Sequence, residues 1–320
     1  MRRIKAAFLN QRTEGIGNVY SPEQIRRLAE LCELFPVVVT PDNIREHVDK
    51  LREVEAVFST WGMFVPEPAL FAKLESLRIV FYAAGSVKDF AGPFLERGVK
   101  VCGAWRANAV PVAEFCLAQI LLSLKGYFHG SPAGPGVYGE TVGLVGCGQI
   151  ARTLVGFLKH HQVAILVHDP YLTAAEAAAL GVENVALDEL FTRAMVVSNH
   201  LPNLRELERA LSSRHFASMR KGATFINTGR GAQVDEGGLA DVLARRGDLT
   251  ALLDVTFPEP PAADSALRRL PNVHLSPHIA GSLNDEKRRM AEYMLEEFVR
   301  WRDGEGLHHE ITAAMVGKMA

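Results

Sequence analysis

A glycine-rich turn between two apolar segments is the first part of this 320-residue chain whose residue types could do chemistry. Residues 141–145 are apolar enough for a buried strand, and residues 151–158 have the apolar spacing of a helix packed on a sheet. Between them, Gly146 permits a tight turn, and Gly148 lets a pyrophosphate approach the backbone because no Cβ intervenes. Free N–H groups at the start of the helix then face the phosphates. The spacing therefore predicts a dinucleotide-binding turn.

A carboxylate follows the next apolar segment at the distance that such a turn requires. Residues 163–168 indicate a second buried strand, and Asp169 stands at its end, 21 residues after Gly148. A carboxylate at this place can accept hydrogen bonds from both hydroxyls of an adenosine ribose, and it repels a 2′-phosphate. The sequence therefore favours NAD over NADP as the cofactor. The alternative is that Asp169, which precedes Pro170, merely begins a turn.

The segments before the glycine turn alternate between strand and helix patterns, which indicates a parallel sheet covered on both faces. The predicted strands are residues 4–9, 37–39, 56–59, 79–82 and 99–102, and the predicted helices lie near residues 22–33, 42–52 and 68–74. Residues 1 to about 103 are thus predicted to form one α/β unit.

The alternation resumes after Asp169, which predicts a second α/β unit. Its further strands are predicted at 195–198, 223–227, 249–253 and 273–275, and its helices at 174–180, 187–192 and 236–246. Between the units, the apolar helix predicted at 115–124 requires burial on most sides, in a domain seam or against another subunit. The Gly/Pro-rich residues 126–139 predict an exposed loop.

The composition excludes several classes of protein. A formal net charge of −2 with no long basic run argues against nucleic acid or an anionic membrane as a partner. The four cysteines are scattered without a C-x-x-C pair, and no metal-ligand pattern occurs, which argues against a disulfide framework and a metal site. The apolar residues 6–9 are too short for a signal sequence, and no stretch is expected to approach membrane-spanning length. The predicted location is the reducing cytoplasm.

Polar and glycine-rich loops follow several predicted strands, at the ends where open α/β sheets bind their ligands. In the second unit these loops are residues 199–202, 227–231 and 276–281. In the first unit, residues 83–87 can present backbone N–H groups to a carboxylate. Trp61 also follows a strand, where a tryptophan either lines a cleft or packs in the core.

Taken together, these motifs resemble those of the D-isomer-specific 2-hydroxyacid dehydrogenase family. The resemblance rests on the Gly146 turn, Asp169, Asn227-Thr228-Gly229-Arg230-Gly231, Asp254-Val255-Thr256-Phe257-Pro258-Glu259-Pro260, and Pro271-Asn272-Val273 followed by Ser276-Pro277-His278-Ile279-Ala280-Gly281. It implies an α/β fold of two Rossmann-like domains with doubly wound parallel sheets. The cofactor domain, residues 104–283, is inserted between the N-terminal part and the C-terminal helix of a substrate domain formed by residues 1–103 and 284–320. The resemblance also implies a homodimer.

The family resemblance implies hydride transfer between NAD(H) and a small D-2-hydroxy acid or 2-oxo acid. Arg230 corresponds to the clamp for the substrate carboxylate and carbonyl, because its planar guanidinium gives two-point recognition. His278 would deliver the proton in reduction and take it in oxidation. Glu259 would orient the imidazole and stabilise its protonated form.

Further residues are implied to bind the cofactor and substrate without taking part in proton transfer. Ser86 and Val87 match the loop that offers backbone N–H groups to the substrate carboxylate, and Asp254 matches the position that binds the nicotinamide carboxamide. The complete predicted cofactor-binding set is Gly146, Gly148, Gln149, Ile150, Asp169, His200, Leu201, Pro202, Thr228, Gly229, Asp254 and Ala280.

Each catalytic residue has a plainer alternative. Arg230 could pair with a surface acid, Glu259 could be a turn residue between prolines, and His278 could be a capped loop histidine. An alternative function is an NAD-sensing regulatory binding protein on the same fold. A formate dehydrogenase relative is disfavoured, because that branch carries glutamine where this chain has Glu259.

Three matters stay open from the sequence alone. The interval from Glu114 to Gly146 is 32 residues, shorter than in many relatives, which weakens the expectation of a dimer. The substrate is small, but the sequence does not choose among glyoxylate or hydroxypyruvate, pyruvate-like acids and phosphorylated acids. The direction of the reaction in the cell also stays open.

Overall fold

The structure is a computed structural model that describes residues 3–129 and 134–317. It contains two compact units. The first holds the described residues up to Asn108 together with those from Ser282 on, and the second holds Ala109–Gly281. Each unit contains a mainly parallel sheet, which confirms the predicted class of two Rossmann-like domains. The first boundary falls at Asn108, inside a helix, rather than at residue 103.

Strands and helices alternate through most of the described chain. The strands are β1 (Lys5–Phe8), β2 (Glu33–Leu34), β3 (Ala56–Ser59), β4 (Ile79–Tyr82), β5 (Lys100–Gly103), β6 (Thr141–Val145), β7 (Ala164–His168), β8 (Glu183–Asn184), β9 (Val196–Asn199), β10 (Thr224–Asn227), β11 (Thr250–Leu253), β12 (Val273–Leu275) and β13 (Glu310–Ile311). The helices are α1 (Thr13–Gly17), α2 (Pro22–Leu31), α3 (Ile44–Leu51), α4 (Pro68–Phe71), α5 (Ala91–Glu96), α6 (Trp105–Leu124), α7 (Gln149–Leu158), α8 (Ala174–Leu180), α9 (Leu187–Arg193), α10 (Ser213–Ser218), α11 (Glu236–Arg245), α12 (Lys287–Asp303) and α13 (Ala313–Val316).

The sheet of the first unit has the strand order β13-β5-β4-β3-β1-β2. Strands β1 to β5 pair in parallel, and β13 is antiparallel at the edge beside β5. Every residue of β3 and β4 is buried, as expected for parallel strands covered on both faces. Phe58 and Phe81 stack with ring centroids 5.0 Å apart in this core. The strand order reverses at β1, whose neighbours are β2 and β3.

The sheet of the second unit has the strand order β12-β11-β10-β9-β6-β7-β8, and all of its pairs are parallel. Here the order reverses at β6, between β7 and β9. The Gly146 turn follows β6 and therefore lies at the switch point, where parallel sheets leave a crevice for ligands. Because the strands are parallel, the loops after β9, β10, β11 and β12 emerge at the same edge.

Two sequence predictions about local structure are wrong. Residues 37–39 form no strand: β2 lies earlier, and Val39 makes a single bridge with Leu9. Pro36 lies between β2 and these residues, and it has no N–H to donate to a neighbouring strand.

Helix α6 begins at Trp105, ten residues before the predicted start, and continues through Pro111. Of the predicted exposed loop, residues 130–133 lie outside the described residues.

Helix α6 also corrects the expectation that no segment reaches membrane-spanning length. Within residues 3–129 and 134–317 it is the one helix that is long and apolar enough to cross a membrane. Half of its apolar stretch is buried inside the protein, and Cys116, Ile120 and Leu124 belong to the core of the second unit. Length and composition are weak support for a membrane span, because core helices share them.

The C-terminal helix α12 holds the segment that leads to β13 through one buried carboxylate. Glu297 is 1% exposed, and its oxygens accept the backbone N–H groups of His308 at 3.0 Å and His309 at 3.1 Å. A buried carboxylate is stable only with such donors, and the donors equally depend on it.

We therefore expect Glu297→Ala to lower the free energy of unfolding by about 1–3 kcal/mol, since buried N–H groups lose their acceptor. Chemical denaturation followed by circular dichroism measures this change. The matched control is Glu296→Ala, at the exposed neighbouring position of the same helix, for which the change should stay within about 0.5 kcal/mol. Equal effects of the two substitutions would contradict the assigned role of Glu297.

Candidate functional site

The glycine turn after β6 has the geometry of a dinucleotide cradle. Gly146 has φ 91°, in the left-handed region, and a Cβ on it would lie 2.9 Å from the backbone oxygen of His200. Gly148 is the N-cap of α7, has open space where a Cβ would project, and offers no capping side chain. The first-turn N–H groups of α7 thus remain available to an anion. These residues fit the pyrophosphate of a nicotinamide dinucleotide.

Asp169 lies beside this cradle, at the end of β7. One of its carboxylate oxygens accepts the N–H of Cys147 within the glycine turn at 2.7 Å. The other accepts the N–H of Tyr171 at 2.8 Å, so the residue also forms the turn that its proline neighbour suggested. Asp169 can therefore both begin a turn and bind a ribose, because each carboxylate oxygen has a second lone pair that can accept a ribose hydroxyl.

Two predicted cofactor residues occupy the first turn of α7. The side chain of Gln149 donates to the hydroxyl of Thr153 at 3.3 Å, and Ile150 packs partly against the core. Both side chains are thus engaged within the protein. Their backbone N–H groups are the parts that face the anion position at the start of the helix.

A buried amide network joins the loops after β9 and β10, and the sequence reasoning missed it. Gln233 is 1% exposed. Its side-chain oxygen accepts from Asn199 Nδ2 at 2.7 Å and from the N–H of Arg230 at 3.1 Å. Its side-chain nitrogen donates to the carbonyls of Leu201 at 3.0 Å and Pro202 at 2.7 Å. The only signal in the sequence is an amide side chain three residues after Arg230.

The two glycines that flank Arg230 are required by close packing. A Cβ on Gly229 would lie 2.7 Å from the side-chain oxygen of Gln233, inside the amide network. A Cβ on Gly231 would lie 2.0 Å from the backbone carbon of Thr256, which no side chain could tolerate. Gly231 thus packs directly against the loop that carries Glu259, and this contact brings the arginine loop beside it.

Thr228 and His200, two of the predicted cofactor residues, are both buried. The hydroxyl of Thr228 lies 3.3 Å from the thiol of Cys116, and burial raises the pKa of that thiol to about 11. The His200 ring is 7% exposed, and neither of its nitrogens has a partner among the described residues. Burial lowers the pKa of His200 to about 4, so the ring is neutral near pH 7. The cofactor contacts of Thr228 and His200 stay a prediction.

Asp254 organises the loop that carries His278. It is 2% exposed, and its carboxylate accepts the hydroxyl of Ser276 at 2.6 Å and the N–H groups of Ile279 and Ala280, both at 2.9 Å. Its backbone oxygen accepts the N–H of His278 at 3.0 Å. The contact of Asp254 with the nicotinamide carboxamide stays a prediction, whereas these donors show that Asp254 positions the loop.

His278 and Glu259 form the hydrogen bond that the sequence predicts. Nδ1 of the imidazole lies 2.6 Å from Oε1 of Glu259, and the two side chains are 47% and 40% exposed. With Nδ1–H donating to the carboxylate, Nε2 has no partner among the described residues. His278 has φ 55°, a conformation that costs a non-glycine residue about 1 kcal/mol or more. The donors to Asp254 on either side of it hold this geometry.

The guanidinium of Arg230 is largely uncommitted. Nη1 donates to the carbonyl of Gly229 at 2.8 Å. In the described part of the chain it has no carboxylate partner, so the alternative of a surface ion pair is not observed. Its remaining N–H donors are available to an anionic ligand.

The predicted carboxylate loop of the first unit also has unsatisfied donors. The backbone N–H groups of Gly85, Ser86 and Val87 have no acceptor among residues 3–129 and 134–317. Successive N–H groups in a turn form a concave site for an anion. Over the same residues, no group of three or more metal-ligating side chains occurs.

Comparison with known proteins identifies the family. Residues 123–280 match the family described as "D-isomer specific 2-hydroxyacid dehydrogenase, NAD binding domain". The chain is 28% identical over 290 residues to the D-3-phosphoglycerate dehydrogenase of Bacillus subtilis, covering 87% of this chain and 55% of that protein. It is 34% identical over 209 residues to the (S)-sulfolactate dehydrogenase of Chromohalobacter salexigens, covering 61% of this chain and 68% of that protein.

The fold agrees with these sequence matches. A phosphoglycerate oxidoreductase from Rhizobium etli superposes with a TM-score of 0.79 at 22% identity, over 98% of this chain and all of that one. The chain spans about half the length, or less, of the phosphoglycerate dehydrogenases that it matches in sequence. The matched domain binds a nicotinamide cofactor in this family. The chain therefore belongs to the D-isomer-specific 2-hydroxyacid dehydrogenase family.

Proposed function

We propose that this protein is an NAD-dependent D-2-hydroxyacid dehydrogenase that reduces a small 2-oxo acid with NADH. The hydrogen bond between His278 and Glu259 carries the proposal, because it leaves Nε2 free to exchange a proton with a ligand. A histidine oriented by a carboxylate is the usual arrangement for such a transfer. Glu259 follows β11 and His278 follows β12, so both belong to loops at the end of the sheet from which the dinucleotide turn also emerges.

Reduction of a 2-oxo acid requires a hydride, a proton and a cation for the carboxylate. The reduced nicotinamide supplies the hydride when bound. Arg230 holds the carboxylate and carbonyl oxygens, while His278 gives its Nε2 proton to the oxygen that becomes the hydroxyl. Glu259 stabilises the imidazolium before this transfer. In oxidation, neutral His278 takes the hydroxyl proton.

The proposal also assigns a role in carboxylate binding to a loop of the first unit. The unsatisfied N–H groups of Ser86 and Val87 support the proposal that this loop binds the carboxylate. Residues outside the loops that carry Ser86, Val87 and Arg230 would then decide which substituent on the 2-oxo acid is accepted. The relatives act on phosphoglycerate and sulfolactate, as their names state, so the family does not by itself choose the substrate of this chain.

A homodimer in the cytoplasm is part of the proposal. It is supported by the partly exposed apolar helix α6, on which Leu122 is 40% exposed. The four cysteines are unpaired and buried, as is common in reducing compartments.

The reaction is tested by following NADH oxidation with glyoxylate, hydroxypyruvate, pyruvate, phenylpyruvate, 2-oxoglutarate and phosphohydroxypyruvate. We expect turnover with at least one acid, and His278→Ala should lower kcat about 100-fold or more because the general acid is lost. The matched control His160→Ala, at an exposed position after α7, should stay near wild type. If NADH binds but no acid is reduced, the enzymatic proposal fails and an NAD-sensing role takes its place.

Arg230→Ala should lower kcat/KM by about 30-fold or more, equivalent to about 2 kcal/mol, because the carboxylate loses its charged partner. NADH binding, measured by nucleotide fluorescence, should persist. Arg230→Lys keeps the charge without the planar fork and should recover only part of the activity. Near wild-type kcat/KM in Arg230→Ala would remove this residue from the substrate site.

Asp169→Ala should reduce the preference for NADH over NADPH by about tenfold or more, because the carboxylate no longer binds the ribose or repels a 2′-phosphate. Asp169→Asn separates the two effects, since it removes the charge and keeps one acceptor oxygen. The ratio of kcat/KM for the two cofactors is the readout, with the exposed Asp241→Ala as control. An unchanged ratio in both Asp169 variants would contradict the assignment.

A further inference from the structure

The first unit contains an open cleft that is lined by none of the residues assigned above to the proposed reaction. Its volume is about 860 Å³, and it lies against the loops that follow β1 and β3. The strand order of this sheet reverses at β1, so the cleft occupies the switch point, the place where open α/β sheets bind ligands. All of its lining residues belong to the first unit.

The walls of this cleft are fixed by buried hydrogen bonds. Asn10 is 1% exposed, donates to the carbonyl of Trp61 at 2.9 Å and accepts the N–H of Arg12 at 3.1 Å. Gly62 has φ 94°, and a Cβ on it would lie 2.8 Å from Oδ1 of Asn10. The N–H of Gln11 donates to the carbonyl of Gly62 at 2.7 Å. The loops after β1 and β3 thus form one preorganised wall.

The same edge of the sheet also leads to the carboxylate loop. Ser59 donates to the carbonyl of Leu9, and Thr60 donates to the carbonyl of Ala83 at 2.9 Å, where that loop begins. Strand β3 pairs with both β1 and β4, and neighbouring strands lie about 4.8 Å apart. A ligand with its carboxylate at the loop after β4 could therefore reach the cleft with a chain of a few carbon atoms.

The chemistry of the lining indicates what such a chain carries. Trp61 is 45% exposed and offers an indole face for C–H groups. Arg12, Glu14 and Asp42 also line the cleft, and their charged groups have no partner among the described residues. Together they carry one positive and two negative charges, which disfavours a phosphate or sulfonate. Hydroxyl groups both donate and accept, so they suit a wall that mixes a guanidinium with carboxylates.

We infer that the cleft binds the uncharged, hydroxyl-rich tail of a 2-oxo acid of about six carbons, so that the substrate is a sugar acid. This inference rests on the proposed reaction at His278. Trp61 and the charged residues around it then determine specificity, while the proton transfer itself is unchanged. A phosphorylated or sulfonated acid is correspondingly a poor substrate.

The inference is tested with 2-oxo acids that differ in the tail. The probes are 2-oxogluconate, 2-oxohexanoate of equal length without hydroxyls, 2-oxoadipate with an anionic tail, phosphohydroxypyruvate, and glyoxylate without a tail. We expect kcat/KM for 2-oxogluconate to exceed that for 2-oxohexanoate and 2-oxoadipate at least tenfold. Trp61→Ala should lower the ratio of kcat/KM for 2-oxogluconate to that for glyoxylate at least tenfold. Preference for an acid with an anionic tail, or an unchanged ratio in Trp61→Ala, overturns the inference.

Charge is tested by Asp42→Asn, which makes the cleft neutral overall and should improve the relative kcat/KM for 2-oxoadipate severalfold. The matched control is Asp49→Asn, at an exposed position on α3 away from the cleft, which should leave the ratios unchanged. Equal effects of the two substitutions count against the assigned charge effect and overturn the specificity argument.

A binding measurement separates this inference from the proposed reaction. D-Gluconate is titrated against the full chain without cofactor, and tryptophan emission is followed in the wild type and in Trp61→Phe. A saturable change that is lost in the variant supports the cleft even if no acid is reduced, in which case the proposed reaction alone fails. The absence of any Trp61-dependent change overturns the inference, whatever the outcome of the turnover assays.

Discussion

The candidate catalytic geometry depends on a single buried carboxylate, that of Asp254. A carboxylate that is 2% exposed requires donors, and it finds them in Ser276, Ile279 and Ala280, on both sides of His278. Moving this loop would leave the charge unsatisfied, which costs several kcal/mol. The constraint holds His278 in a left-handed backbone conformation and directs its ring to Glu259. The proposed acid–base group is thereby fixed by a residue that need not touch the substrate.

The arginine loop is likewise positioned by residues other than the one proposed to bind the ligand. Arg230 has a guanidinium free to bind a ligand, while Gln233 and Asn199 hold the surrounding backbone from a buried position. The glycines on either side of Arg230 leave no room for a side chain, because this network and the backbone of Thr256 occupy the space. Fully satisfied polar networks of this kind are rigid, which is what a site needs to hold reacting atoms in place.

The two units use their sheets in a similar way. In each, a candidate ligand-binding feature lies where the strand order reverses: the dinucleotide turn at β6 and the cleft at β1. The residues that match the family model of the NAD-binding domain, 123–280, lie mostly in the second unit. The first unit carries Trp61 and Arg12, which belong to no motif of the sequence, and features of this kind can distinguish one member of a family from another.

The sequence by itself determined the features that depend on neighbouring residues. The glycine turn, Asp169 at the end of β7, and the α8 helix ending at Gly181 follow from local backbone requirements, which a short stretch of chain records. The tertiary structure decided what depends on residues distant in the chain. It set the early start of α6, the burial that lowers the pKa of His200, the donors around Asp254, and the cleft between the loops after β1 and β3. Burial and hydrogen-bond partners are properties of the packed chain, and no local spacing of residues encodes them.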